Sequence, residues 1–239
     1  MAPYRAPSTS TLCYANTSAS IDEVAPHGFR RPAVARGLPE WLQPLASAVP
    51  DVQTSHLTRF APTDGRGRSA AVLVLFGDGP DVLVIERARG PVAHSGQPAF
   101  PGGAREESDS DTVATALREA QEETGVDPGA IHVFGALPDL WVPVSGYVVS
   151  PVLAWWHSPH PVHVQDPSEV SRVQRVDVSA LVDPMNRYTV VHPSGYRGPG
   201  FVVHDLLIWG FTAGVLSGVL DLSGWQQPWD AAREIAVPA

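Results

Sequence analysis

Three glutamates near the middle of the chain have a spacing that places their side chains together. Glu119, Glu122 and Glu123 are three and four residues apart, and these spacings bring side chains onto one face of a helix. Like charges at this spacing repel one another unless a cation lies between them. Carboxylate oxygens are the ligands that hard divalent cations such as Mg2+ and Mn2+ prefer. The three glutamates are therefore a candidate site for a divalent metal ion.

The surrounding residues predict the helix that positions these glutamates. On a helical wheel drawn from Thr112 to Thr124, one side is shared by Val113, Ala116, Leu117, Ala120 and Thr124. Gly125 is predicted to end this helix with a positive φ. Arg118 precedes Glu122 by four residues, so it can brace one of the carboxylates. An ordinary solvated acidic helix face is the alternative interpretation of the glutamates.

The sequence on either side of the glutamates resembles the Nudix box, G-x5-E-x7-R-E-U-x-E-E-x-G-U, where U is a bulky apolar residue. Residues 118–126 read R-E-apolar-x-E-E-x-G-apolar, and Gly103 lies upstream with five residues between it and Asp109. The sequence departs from the pattern in three ways. Asp109 stands where the pattern has glutamate, eight residues instead of seven separate it from Arg118, and Ala120 is small.

The resemblance implies an enzyme that hydrolyses a pyrophosphate linking a nucleoside to another group. Positioning and divalent cations supply most of the catalysis in such phosphoryl transfers. The implied catalytic residues are Arg118, Glu119, Glu122 and Glu123. The implied ligands of Mg2+ or Mn2+ are Glu119, Glu122, Glu123 and the carbonyl of Gly103. Either Glu122 or Glu123 would also orient or deprotonate the attacking water, and Asp109 would fasten the loop to the helix.

The loop before the box resembles the signature LLTxR[SA]xxxRxxxGxxxFPGG of the coenzyme A pyrophosphatase-like Nudix hydrolases. The matching positions are Arg87, Ala88, Gly96, Phe100, Pro101, Gly102 and Gly103. Val92 stands where the signature has its second arginine, and Arg89 lies three residues earlier. The resemblance implies substrate binding by Arg87, Arg89, Gly96 and Phe100.

Three functions remain open from the sequence. The first is cleavage of coenzyme A or acyl-CoA to 3',5'-ADP and (acyl-)4'-phosphopantetheine. The second is hydrolysis of another nucleoside diphosphate derivative such as ADP-ribose. The third is a Nudix-fold module that senses a nucleotide without cutting it, although the intact Arg118 and glutamates speak against a pure sensor.

Two residues outside the box are weaker candidates. Glu169 lies at the start of a predicted strand after a loop, where related hydrolases can supply an extra acid, and a solvated glutamate at a strand end is the alternative. His94, close to Gly96, is expected either to touch substrate or to make a local hydrogen bond.

The remaining patterns predict an α/β architecture. Apolar, β-rich runs at residues 69–76 and 81–87 flank a Gly-Asp-Gly-Pro turn and predict a hairpin within a buried sheet. Further strands are predicted at residues 131–137, 147–156 and 169–178, with a second hairpin at 187–192 and 200–204. Helices are predicted at residues 37–49, 178–181 and 209–222. This interleaving predicts an α+β mixed sheet with helices on both faces, and the resemblance implies a Nudix-type α/β/α sandwich.

Composition limits the setting and the partners. Residues 1–36 show no period of two or 3.6 and are predicted to be a disordered extension or an over-long start of the reading frame, while residues 37–239 form the predicted domain.

The net charge of −9 argues against a general nucleic-acid binder. All 16 basic residues are arginine, so phosphate recognition must use arginine, backbone N–H groups or metal. No signal peptide or membrane-length apolar run is found, and the single Cys13 allows no intrachain disulfide. A cytoplasmic enzyme with a small nucleotide substrate is expected, with no nucleic-acid or membrane partner and with a homodimer left open.

Overall fold

The structure is a computed structural model that describes residues 37–57, 67–88 and 96–237. The predicted extension at residues 1–36 and the loop residues Arg89, Val92 and His94 lie outside the described residues. Within the three described ranges, no helix is both long and apolar enough to span a membrane.

The described ranges contain five α-helices and twelve strands. The helices are α1 (Gln43–Ala48), α2 (Thr54–Leu57), α3 (Thr112–Thr124), α4 (Val178–Val182) and α5 (Gly210–Leu222). The first six strands are β1 (Arg68–Gly77), β2 (Asp81–Arg87), β3 (Pro98–Ala99), β4 (Gly102–Ala104), β5 (Ile131–Ala136) and β6 (Leu140–Val142). The other six are β7 (Tyr147–Trp156), β8 (Val170–Asp177), β9 (Arg187–Val191), β10 (Arg197–Val203), β11 (Leu206–Ile208) and β12 (Glu234–Ala236). Short 3-10 turns lie at Glu40–Leu42, Val49–Asp51, Pro128–Ala130 and Pro184–Asn186.

An eight-stranded mixed sheet is built around β1. This strand pairs in parallel with β7 from Arg68↔Tyr147 to Phe76↔Trp155, and it pairs antiparallel with β4 and β2. The main order is β3-β2-β1-β7-β5, with β4 on β1, β6 on β7 and β8 on β2. Because β1 is covered on both faces, its sequence is a continuous apolar run.

The alternation of side chains along β1 divides the core into two layers. Ala71, Leu73 and Leu75 pack on one face of the sheet with the small residues Ala116 and Ala120 of α3. Val74 and Phe76 point to the other face, where the apolar side chains come from α1 and α5, including Leu45, Leu216 and Leu220. One helix on one face and two on the other confirm the predicted α/β/α arrangement with a mixed sheet.

The predicted elements are confirmed in place, but their pairing differs from the expectation at two points. The predicted first hairpin pairs only at Phe76↔Val82 and Gly77↔Asp81, because β1 continues along β7 and β4 while β2 continues along β8 and β3. The predicted second hairpin belongs to a separate four-stranded sheet of order β11-β10-β9-β12. Helix α2 and the strands of two or three residues were not predicted, because such short segments show no period.

Candidate active site

Helix α3 carries the three glutamates, and residues next to it in the sequence fix where it begins and ends. The Asp111 side chain caps the first turn by accepting a hydrogen bond from the Ala114 N–H at 2.9 Å. Gly125 ends the helix with φ 72°, as predicted, and its N–H donates to the Gln121 carbonyl at 2.8 Å. The apolar side faces the sheet, so the glutamates lie along the border between α3 and β4.

Arg118 connects the loop after β4 to the glutamates of α3. Its Nε and Nη2 donate to the two oxygens of Asp109, both at 3.0 Å. Its Nη1 donates to Glu119 at 3.1 Å and to Glu122 at 2.9 Å. This two-pronged contact holds the pKa of the Asp109 carboxyl well below its usual range. Asp109 also accepts from the Glu106 N–H at 2.9 Å and from the Thr115 hydroxyl at 3.0 Å, so it fastens the loop to the helix.

Glu123 is the most enclosed of the three glutamates, with 2% of its surface exposed. Its carboxylate accepts a hydrogen bond from the Gly102 N–H at 2.9 Å. Burial raises the pKa of Glu123 to about 8, although the Gly102 N–H and the nearby Arg87 favour the charged form. Arg87 reaches this place because its Nη2 donates to the Gly102 carbonyl at 3.2 Å. The predicted substrate-binding Arg87 therefore lies beside the predicted metal ligands.

Glu119 occupies the space that a side chain at position 103 would need. A β-carbon built on Gly103 would collide with the Glu119 carboxylate, so the glycine allows β4 and α3 to approach each other here. Burial raises the pKa of Glu119, and Arg118 opposes this shift. Gly103 of β4 and Glu119 of α3 are therefore neighbours in the structure.

The three carboxylates and the Gly103 carbonyl fit a hard divalent cation by chemistry, since all are oxygen donors, Glu123 is buried and Glu119 is half-buried. Among the described residues, however, no group of three His, Cys, Asp or Glu side chains is close enough to hold a metal ion. The Glu122 side chain is 58% exposed and is held by Arg118. A cation held by all three glutamates would therefore require Glu122 to turn from Arg118 toward Glu119 and Glu123.

Glu169, the weaker candidate outside the box, lies directly before β8 and acts electrostatically on the glutamates of α3. Its exposed carboxylate makes no hydrogen bond or ion pair within the described ranges, and its negative charge contributes to the raised pKa of Glu119 and Glu123. Its backbone carbonyl accepts from the Ala88 N–H at 2.7 Å, next to Arg87. The available sequence signal was its position at a strand start after a loop.

The other predicted substrate-binding residues have different positions. The Phe100 side chain is 1% exposed and packs in the core on the α5 face of the sheet, so the prediction that it contacts substrate is corrected. An apolar ring at this position secures the segment that leads to Gly102. Gly96 has φ 73°, and its N–H donates to the Arg87 carbonyl at 3.0 Å, which brings the two ends of the loop together. Arg89 lies outside the described residues.

Comparisons with known proteins indicate the family of this chain. The NUDIX domain family matches residues 65–193. The chain belongs to the Nudix family. The uncharacterized Nudix hydrolase NudL of Escherichia fergusonii is 35% identical over 158 residues, which cover 62% of this chain and 79% of the relative. The NudL protein of Cronobacter sakazakii is 35% identical over 155 residues, with the same coverage. A NUDIX hydrolase from Nitrosomonas europaea has a similar structure, with a TM-score of 0.46, 12% identity, and coverage of 73% of this chain and 82% of that one.

Membership of the Nudix family makes this protein a pyrophosphohydrolase. Nudix hydrolases act on small nucleotide substrates and generally use divalent metal ions.

Proposed function

We propose that this Nudix hydrolase cleaves the diphosphate bond of coenzyme A or acyl-CoA, producing 3',5'-ADP and (acyl-)4'-phosphopantetheine. The observation that carries the proposal is the position of Arg87, the first arginine of the subgroup signature, beside Glu123 through the Gly102 carbonyl. A guanidinium at this place can donate to a substrate phosphate next to the acidic helix. The net charge of −9 also favours a small substrate over nucleic acid.

The proposed roles of the box residues follow from their contacts. Glu119, Glu122, Glu123 and the Gly103 carbonyl would hold Mg2+ or Mn2+, which would neutralise charge that develops on the phosphate oxygens. Arg118 keeps Glu119 in place through its bonds to that carboxylate and to Asp109, and it holds Glu122 until Glu122 turns to the cation. Arg87 would orient the diphosphate, and the Gly102 N–H keeps the Glu123 carboxylate directed toward β4.

Glu169 is the proposed acceptor of the proton from the attacking water. Glu122 or Glu123 was expected in this role, but Glu123 accepts the Gly102 N–H and both glutamates are proposed metal ligands. The Glu169 carboxylate has no such partner within the described part of the chain, and it interacts with Glu119 and Glu123. A free carboxylate beside the metal ligands can accept a proton and then release it to solvent.

A substrate panel tests the proposal. Coenzyme A, acetyl-CoA, ADP-ribose, NADH and a diadenosine polyphosphate are incubated with the full chain and Mg2+ or Mn2+, and the products are identified by mass. We expect 3',5'-ADP from coenzyme A at the highest kcat/KM. Faster cleavage of ADP-ribose than of coenzyme A would instead support the second candidate function, and cleavage of none would support a sensor.

Val92→Arg tests the loop signature, because it restores the second arginine of the subgroup. If Arg89 already serves coenzyme A in this loop, the added guanidinium changes kcat/KM for coenzyme A little. If coenzyme A is not the natural substrate, Val92→Arg raises cleavage of coenzyme A without improving cleavage of the substrate that the wild type prefers.

A further inference from the structure

The segment 157–169 between β7 and β8, here called the docking loop, covers the end of α3. The His163 N–H donates to the Thr124 carbonyl at 3.1 Å, and the Gln165 N–H donates to the Glu123 carbonyl at 3.2 Å. Both carbonyls belong to the last turn of the helix, where no intrahelical donor remains. The N–H of Val164, between the two donors, makes no hydrogen bond within the described ranges.

Further contacts attach the docking loop to the residues just after α3. The Asp127 N–H donates to His160 Nε2 at 3.0 Å, and the His157 N–H donates to the Ala130 carbonyl at 3.1 Å. The Gln165 side-chain amide lies against Gly125, where a β-carbon would overlap it. The docking loop is thus attached to the helix end and to the turn that follows.

A short segment connects Gln165, which is bonded to the end of α3, with Glu169 four residues later. After Gln165, the chain forms a closed turn in which Asp166 accepts from the Ser168 N–H at 2.8 Å and from the Glu169 N–H at 3.2 Å. The Ala88 N–H then binds the Glu169 carbonyl at 2.7 Å. Glu123 links the docking loop to the candidate active site. Its carbonyl accepts the Gln165 N–H of the loop, and its carboxylate lies in the site.

We propose that the docking loop is a positioning device, in which the N–H groups of His163 and Gln165 hold Glu169 beside Glu119 and Glu123. The proposal rests on the proposed function only for the catalytic role of Glu169. His163 and Gln165 are positioning residues, since they contact the helix end and the loop itself.

Gln165→Pro removes one of the two donors and leaves the carboxylates unchanged. With the full chain, saturating Mg2+ and the best substrate of the panel, we expect kcat to fall on the order of 10²-fold with little change in KM, because displacements of about 1 Å have such effects. Val164→Pro is the matched control, since it places proline at the neighbouring N–H that has no partner, and its kcat should stay close to wild type. Hydrogen exchange at residues 162–170 should accelerate in Gln165→Pro and not in Val164→Pro. His163→Pro, which removes the other donor, repeats the test if Gln165→Pro does not fold.

Glu169→Gln shows whether the effect passes through Glu169. In this background, Gln165→Pro should lower kcat no further, because residues that act as one unit are not additive. Equal kcat and equal hydrogen exchange in Gln165→Pro and Val164→Pro would overturn the docking. An undiminished effect of Gln165→Pro in the Glu169→Gln background would overturn the transmission to Glu169. If the wild type cleaves no substrate, the proposed function fails, and the exchange comparison alone decides whether the loop is docked.

Discussion

At the scale of single residues, burial disfavours the charged form of the Glu123 carboxylate. It is enclosed between α3 and β4, where one N–H and a nearby arginine only partly compensate for the loss of water. Burial also raises the pKa of Glu119. A divalent cation at the proposed site would remove this penalty, so the metal-free and metal-bound proteins should respond differently to pH.

Without metal, the free energy of unfolding should fall as pH rises between 4.5 and about 8. The folded pKa of Glu123 is raised to about 8 from 4.5, so the folded state binds the extra proton. The stabilisation is complete below pH 4.5 and is lost as pH passes 8, with a slope of at most roughly 1.4 kcal/mol per pH unit for one group. Urea denaturation in the presence of EDTA measures it. Glu123→Gln is the control that should flatten the slope, and an unchanged slope in that variant would assign the dependence to another group.

At the scale of elements, the acidic face of α3 should account for metal-induced stabilisation. A cation that binds only the folded chain stabilises it by mass action, about 2.7 kcal/mol at 100 times Kd. Saturating Mg2+ or Mn2+ should therefore raise Tm. The double variant Glu122→Gln, Glu123→Gln should remain folded without that rise, because its amides carry no charge. A rise in Tm that persists in the double variant would place the metal elsewhere.

The end of α3 offers a second test at this scale. Gly125 and Gly224 follow α3 and α5 with φ 72° and 71°, but only Gly125 has a neighbour where a β-carbon would lie, namely the Gln165 amide. Gly224→Ala should cost about 1–2 kcal/mol from backbone strain alone. Gly125→Ala should cost more, measured by urea denaturation, because the Gln165 side chain must also move. When Gln165→Ala is already present, Gly125→Ala should cost about as much stability as Gly224→Ala does. Equal costs in the single variants would show that the amide contact contributes nothing.

At the scale of the whole molecule, the carboxyl-terminal segment after α5 returns across the core. Trp225 packs on Trp41 near the start of the described chain, with ring centroids 5.3 Å apart, and on Phe76 of β1 at 6.2 Å. Arg187 of β9 is buried between Phe201 and Trp229, with guanidinium-to-ring distances of 4.5 and 4.8 Å. Aromatic contacts thus join segments from both ends of the described chain to both sheets.

This arrangement predicts coupling between distant positions in the sequence. A double-mutant cycle of Trp41→Ala and Trp225→Ala, measured by urea denaturation, should give a coupling energy of about 0.5–1.5 kcal/mol. Trp41→Ala combined with Trp229→Ala is the control, because Trp229 packs on Arg187. Additive costs for Trp41 and Trp225 would mean that the two rings do not stabilise each other.

The sequence by itself determined the elements whose cause is local. The apolar period, the cap and Gly125 determine where α3 begins and ends. The bond between Arg118 and Glu122 follows from their spacing of four residues on this helix. The Nudix family membership belongs to the same level, because the box is one continuous stretch.

Only the tertiary structure decided which distant residues join the site and which leave it. Glu123 is buried against Gly102, and the docking loop before Glu169 bonds to the end of α3, so no local period predicts either contact. Phe100 has the right motif position but turns into the core, because it faces the side of the sheet that α5 covers. The pairing of the strands could not be predicted for the same reason. The longest pairing of β1 is with β7, which lies far along the chain. Local spacing sets side-chain direction, whereas partners across the sheet are selected by the packing of the whole core.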